Sequence, residues 1–301
     1  MKRKMISVIL CAVIVAVFLP VTVSADMGPK PSVHIIFENI GDEECYGTLL
    51  SKYDSTGPFS VWDGDEDHIY NYDDVDPGVW RAFLEYKDTD GYFFLQRGWC
   101  VSESGELAWT YYPPDTFKIL VYFPETDTFV VSDIYERYAF DTYYTVDMDG
   151  VKIGSVDYDD ELSGNDRIDA YRSYNYTVEF VSLVIRIVLT ILLEIGIALL
   201  FGYRAKNQLG LIAGVNVVTQ IVLNVLLNVI NYRSGHTAFV LNYFMLELLV
   251  FVIEAAVFYT VLPKLADNDK KKWMTVVYAL AANVVSFAAG FWLAEWIPGI
   301  F

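Results

Sequence analysis

Histidine and cysteine are scarce, with three of each in 301 residues. His34, His68 and His236 stand far apart and show no metal-ligand spacing, which leaves out a histidine-based zinc site. Cys11 lies in an apolar leader and lacks the small residues that a lipid-attachment cysteine needs before it. Cys45 and Cys100 remain, and they suit either one disulfide or two buried free thiols. The chain has no nucleophile elbow, no phosphate-binding glycine loop and no HExxH. Its apolar segments also lack the paired acidic or Ser/His patterns of intramembrane proteases. The motifs give catalysis no support, so the reading leans away from an enzyme, and no cofactor is implied.

Positive charge is also scarce, and unevenly so. Residues 26–177 hold ten Lys and Arg against 32 Asp and Glu, a local net charge of −22. Such an acidic stretch excludes nucleic acid as a partner and favours cations, basic peptides or plain solubility. Yet 54% of the whole chain is hydrophobic and the net charge is −18. The two facts agree only if charge and apolarity occupy different parts of the chain.

The start reads as a cleavable signal peptide over residues 1–25. Lys2, Arg3 and Lys4 form a basic head, Ile6 to Leu19 an apolar stretch, and Val23-Ser24-Ala25 a small-residue cleavage site before Asp26. An uncleaved anchor is the competing reading. Residues 26–165 read as an acidic extracytoplasmic β domain. Expected strands are Ser32–Phe37, Tyr46–Leu50, Val79–Tyr86, Tyr92–Gln96, Phe117–Phe123, Thr128–Ser132, Tyr143–Asp147 and Val151–Val156. Asp88-Thr-Asp-Gly91, Pro124-Glu-Thr-Asp127 and Met148-Asp-Gly150 serve as hairpin turns. Aromatic and β-branched residues with turns every 8–12 positions suggest an antiparallel β-sandwich. Residues 166–177, polar and free of Pro and Gly, read as a juxtamembrane helix.

Four apolar segments follow within residues 178–301: Val178–Phe201, Leu209–Ile230, Phe239–Leu262 and Trp273–Ile297. Each is long enough to cross a ~30 Å hydrocarbon layer. The expected fold is therefore α+β and membrane-bound, a β-sandwich-like domain followed by a four-helix transmembrane bundle. The connections around Arg204 and Lys206, and around Lys264 and Lys270–Lys272, are basic, whereas the middle one carries only Arg233. The positive-inside rule places the first and third connections in the cytoplasm. The β domain and the C-terminus then lie outside a multi-pass plasma-membrane protein. Partners consistent with this are the lipid bilayer, a protein partner or second copy, and a cation or proton.

Ionisable residues inside apolar spans are costly and usually face the bundle interior. At 1.5 Å per residue, Glu194, Asn216 and Glu254 lie ~10–13 Å from the cytoplasmic end of their spans, with Asn283 slightly deeper. Arg186, Asn224 and Glu247 lie ~22–25 Å in. Two layers result. The inner one comprises Glu194, Glu254, Asn216, Thr219, Gln220 and Asn283, and its two carboxylates lack a cation. Two such groups in low dielectric share a proton, hold a cation or open to water. The outer one joins Arg186 and Glu247 as an ion pair beside Asn224. Simple interhelical packing is the competing reading for both layers.

Asp63, Asp65 and Asp67 alternate as in a calcium loop, but His68 stands where such a loop needs Gly, and Asp74 where it needs Glu. A solvated acidic loop is the plainer reading. Tyr111-Tyr112-Pro-Pro and Tyr135…Tyr138 fit either a sugar- or peptide-binding face or the sandwich core.

The stretches Asp26-Met-Gly-Pro-Lys-Pro-Ser32 and Tyr112-Pro-Pro-Asp-Thr-Phe-Lys-Ile-Leu-Val-Tyr-Phe-Pro-Glu-Thr-Asp127, with the four-span tail, resemble a group of uncharacterised exported membrane proteins of Gram-positive bacteria. The resemblance covers most of the chain. It implies the architecture and carries no activity, substrate or site residue. The expected function is a surface binding or sensing protein. The alternative is a small proton- or cation-coupled transporter or channel component that uses Glu194 and Glu254.

Overall fold

The computed structural model describes residues 29–65, 75–149, 151, 167–265 and 271–296, the last six by backbone alone. The expected signal peptide, Asp67 and all but the first residue of the expected strand Val151–Val156 lie outside the described residues. The chain divides into two compact units, Lys30–Tyr174 and the part from Asn175 onward.

The first unit is built of short strands. In chain order they are β1 (Ser32–Glu38), β2 (Tyr46–Ser51), β3 (Ser55–Thr56), β4 (Phe59–Ser60), β5 (Phe93–Phe94), β6 (Trp99–Cys100) and β7 (Glu106–Trp109). They continue as β8 (Thr116–Phe123), β9 (Thr128–Ser132), β10 (Tyr135–Glu136), β11 (Asp141–Asp147), β12 (Arg167–Ile168) and β13 (Ala170–Arg172). Helix α1 spans Pro77–Glu85 and the single turn α2 spans Val101–Ser104. One sheet runs β13-β11-β1-β7, and the other β12-β9-β8-β2-β5 with β10 beside β8 and β6 beside β2.

The two sheets share one core. Val33, Ile35, Leu107, Trp109 and Val146 come from the first sheet, and Leu49, Phe117, Ile119, Val121 and Val130 from the second. The period of two along β8 decides this: Phe117, Ile119, Val121 and Phe123 point inward between the sheets. Leu120 and Tyr122 point the other way, onto Val79, Trp80 and Phe83 of α1. Strands β2 and β8 are therefore buried on both faces, and the unit has a helix layer outside its sandwich.

The sandwich is not purely antiparallel, because β1 pairs β11 in parallel from Ser32↔Asp141 to Glu38↔Asp147, and β12 pairs β9 in parallel. The strands in each pair are far apart in sequence, so no hairpin dictates their direction. Residues Val79–Tyr86 are helix, not strand. Asp76 caps that helix by accepting from Gly78 N at 2.7 Å, Pro77 opens it, and buried Val79, Trp80 and Phe83 lie on one helical face. The turn at Asp88–Gly91 therefore joins α1 to β5 and does not close a hairpin. The expected juxtamembrane helix is strand from Arg167 to Ile168 and from Ala170 to Arg172. These strands pair with β9 and β11, and the next helix starts only after Asn175, whose Oδ1 accepts from Val178 N. A vacant sheet edge outweighs the helical propensity of that segment. The turn between β8 and β9 is as expected, with Asp127 at φ 51°.

The second unit holds α3 (Tyr176–Leu200), α4 (Lys206–Val261) and α5 (Trp273–Trp296), with a 3-10 turn at Leu262–Lys264. Three helical stretches are long and apolar enough to cross a membrane: Tyr176–Leu200, Lys206–Lys264 and Trp273–Gly290. The loop expected at Asn231–Ala238 is helical except at Gly235, with φ 78° and ψ 177°. That conformation is essentially confined to glycine. The halves of α4 meet across this kink. Gln208 Nε2 donates to Leu262 O at 3.5 Å, and these residues stand equally far from Gly235 along the chain. Thr219 reaches Glu254, and Leu223 and Leu227 pack with Phe239, Tyr243 and Val250.

Polarity in this unit is inverted relative to a soluble protein. Phe180, Leu192, Leu200, Val218, Met245 and Leu248 are exposed, whereas Glu194, Asn216, Asn224 and Glu254 are buried. An apolar outer face around a polar interior suits hydrocarbon surroundings.

Candidate functional site

The buried polar groups of the helical unit form two centres. The inner one draws a residue from every helical segment. Glu194 comes from α3, Asn216 and Thr219 from the first half of α4, Glu254 from its second half, and Asn283 from α5. Asn216 Nδ2 donates to Glu194 Oε2 at 2.5 Å. Thr219 Oγ1 donates to Glu254 Oε1 at 2.7 Å, and Asn283 Nδ2 to Glu254 Oε2 at 2.7 Å. Asn216 and Thr219 are three residues apart, so one face of one helix presents both.

Local helix geometry aims these donors. Asn216 Nδ2 also reaches Ile212 O, and Asn283 Nδ2 reaches Ala279 O, each at 3.0 Å and four residues back. The backbone carbonyl fixes which end of each amide faces the carboxylate. Every side-chain partner of the two carboxylates among the described residues is neutral. Asn216 Oδ1 is buried and meets no donor.

The outer centre holds Arg186, Asn224 and Gln220. Arg186 Nη1 donates to Asn224 Oδ1 at 2.8 Å, and Asn224 Nδ2 donates to Gln220 O at 2.8 Å. A cavity of about 30 Å³ lies among Arg186, Thr190, Gln220, Asn224, Tyr243 and Glu247, room for about one water. Glu247 thus shares a cavity with Arg186, and Arg186 also bonds Asn224. Gln220, expected in the inner set, belongs to this outer one: it lies four residues before Asn224 and lines the cavity.

Sequence reasoning missed two tyrosines. Tyr278 is fully buried and its hydroxyl donates to Glu194 O at 3.4 Å. Tyr243 lines the outer cavity. Tyrosine in an apolar segment reads as core or interface belt, and the available signal was that Tyr243 stands one turn before Glu247.

In the β unit, Cys45 and Cys100 are free thiols. Burial, followed by the neighbouring Cys100, pushes the Cys45 thiol up to about 11, which makes it a poor nucleophile. Asp63 Oδ1 accepts from Asp65 N at 3.0 Å, a local turn contact. Among the described residues no group of three or more His, Cys, Asp or Glu could hold a metal ion. His34 instead bonds Glu106 at 2.5 Å and stacks on Tyr143.

The β unit also has an open cleft of about 410 Å³, lined by Thr116, Ile134, Tyr135, Glu136, Tyr144, Ala170 and Arg172. It lies where β8 and β10 of one sheet approach β11 and β13 of the other. Arg172 Nη2 stands 3.7 Å from Glu136 Oε1, and its guanidinium covers the Tyr138 ring at 4.5 Å. Ile134 is 53% exposed at its rim.

No family model matches the chain, and neither does any curated protein or solved structure.

Proposed function

We propose that this chain is a multi-pass plasma-membrane protein whose β unit faces outward, after export by its leader, and binds a ligand or protein partner. The cleft between the two sheets is the observation that carries this reading. It combines an exposed isoleucine, two tyrosines and an Arg–Glu pair within a volume typical of ligand sites. Such a lining favours a peptide-like ligand with an apolar body and at least one charged group. In this reading α4 contributes two spans, because 56 helical residues would extend ~84 Å at 1.5 Å each, far beyond a ~30 Å hydrocarbon layer. The four spans then form a bundle that anchors the β unit, with the C-terminus outside. A chain lacking residues 26–165 behind an intact leader should insert normally and lose whatever envelope phenotype the full chain confers. Normal insertion with the phenotype unchanged contradicts the reading.

A second reading, a small proton- or cation-coupled transporter component, is favoured by the convergence of all helical segments on Glu194 and Glu254. Four spans are few for a complete pathway, so it implies self-association or a partner. Proteoliposomes carrying the Glu194→Gln, Glu254→Gln double variant should lose cation or proton flux. Equal flux in variant and parent rules this reading out.

A further inference from the structure

The inner centre is short of hydrogen-bond donors in a one-sided way. Both amide hydrogens of Asn216 are in use, one on Glu194 Oε2 and one on Ile212 O. Turning the amide over would set its oxygen against Ile212 O, so the orientation is fixed. Asn216 Oδ1 is then left without a donor on a residue with no exposed surface, on the same amide whose nitrogen meets the Glu194 carboxylate. Glu254 is provided for differently: Thr219 meets one of its oxygens and Asn283 the other. At Glu194 the only side-chain donor among the described residues is Asn216 itself. When Glu194 ionises, its carboxylate and the unpaired oxygen of the amide that contacts it would make a concentrated patch of negative potential in low dielectric. Oxygen-only donors, one of them charged, are the ligand chemistry of hard cations. The set holds too few acidic groups for a divalent ion.

We propose that the Glu194 carboxylate and Asn216 Oδ1 form the binding site for one dehydrated alkali-metal cation in the middle of the helical unit. The inference rests on the membrane reading of the helices and on neither a ligand in the β cleft nor ion transport. A cation held permanently at this position would fasten α3 to the first half of α4.

The test is thermal unfolding of the purified full chain in detergent, in LiCl, NaCl, KCl or choline chloride at one ionic strength and one pH. Choline is too large to enter and serves as the reference. One of the three small ions should raise the midpoint above choline in a saturable, single-site manner. In Glu194→Gln, nearly the same shape without the charge, half-saturation should need roughly tenfold more ion or vanish. Glu247→Gln, in the outer centre, should keep the response. Equal midpoints in all four salts overturn the proposal, whether the site is empty or holds only a proton. An undiminished response in Glu194→Gln also overturns it. Should that variant fail to fold, equilibrium binding of the radiolabelled ion to the parent chain decides. About one ion per chain supports the site, and none overturns it. Binding without flux would keep this site and remove the transporter reading.

Discussion

Lys118 is the residue on which the outer face of β8 depends. Its ammonium is 2.7 Å from Asp88 Oδ1 and 2.5 Å from Asp90 Oδ2, and the Asp88 side chain is 1% exposed. Burial pulls the lysine down, but its bonds to Asp88 and Asp90 outweigh that and leave it above its ordinary value. Its hydrogen bond holds the Asp90 carboxyl below 3.8. The lysine contribution is therefore complete below 10.5 and is lost as the pH rises past its raised value. The aspartate contribution is present above 3.8 and is lost as the pH falls through its lowered value. Lys118→Met strands the buried Asp88 charge and should cost about 3 kcal/mol at pH 7 in chemical unfolding of the full chain. Adding Asp88→Asn should recover most of that loss. A Lys118→Met chain as stable as the parent would show the triad to be ornamental. At this scale the sequence was a good guide to identity and a poorer one to grouping. Glu194, Asn216, Thr219, Glu254 and Asn283 were legible because a charge or amide in an apolar run has few places to go. Gln220 was misgrouped because its depth suits both layers, and only the rotation of the helix decides between them.

The conformation of Gly235 controls the longest element. The halves of α4 are each helical up to this residue, and the contact between Gln208 and Leu262 requires the chain to turn back there. Any side chain at φ 78°, ψ 177° is strained. Gly235→Ala should therefore cost ~1–3 kcal/mol in unfolding of the detergent-solubilised chain. An unchanged stability would mean that the kink relaxes without loss. The basic connections and apolar lengths made the helical stretches legible, but a turn made by one residue inside continuous helix leaves almost no trace in hydropathy. Helix α1 was hidden for another reason. Val79, Trp80, Phe83 and Tyr86 have strong strand propensity, and only the Asp76-Pro77 start betrays the helix. Strands β12 and β13 were missed because pairing with β9 and β11 is a long-range event that local pattern does not encode. A Cβ added at Gly210 or Gly214 would meet no atom within 4 Å beyond its own stretch of helix, so neither glycine marks a close approach.

The whole molecule separates its acidity from its apolarity. One unit hides an aromatic core between two sheets and a helix, and the other hides carboxylates and amides behind exposed Leu, Val and Phe. The first arrangement suits water and the second suits hydrocarbon. The proposed membrane architecture requires a definite number and sense of bilayer crossings by the second unit. Reporter fusions made after Lys206, Ser234, Lys272 and Phe301 test this directly. The account predicts cytoplasmic signals at Lys206 and Lys272 and external signals at Ser234 and Phe301. If the fusions after Lys206 and Lys272 report from opposite sides, α4 crosses once, the inner centre cannot assemble within one membrane, and the account is wrong.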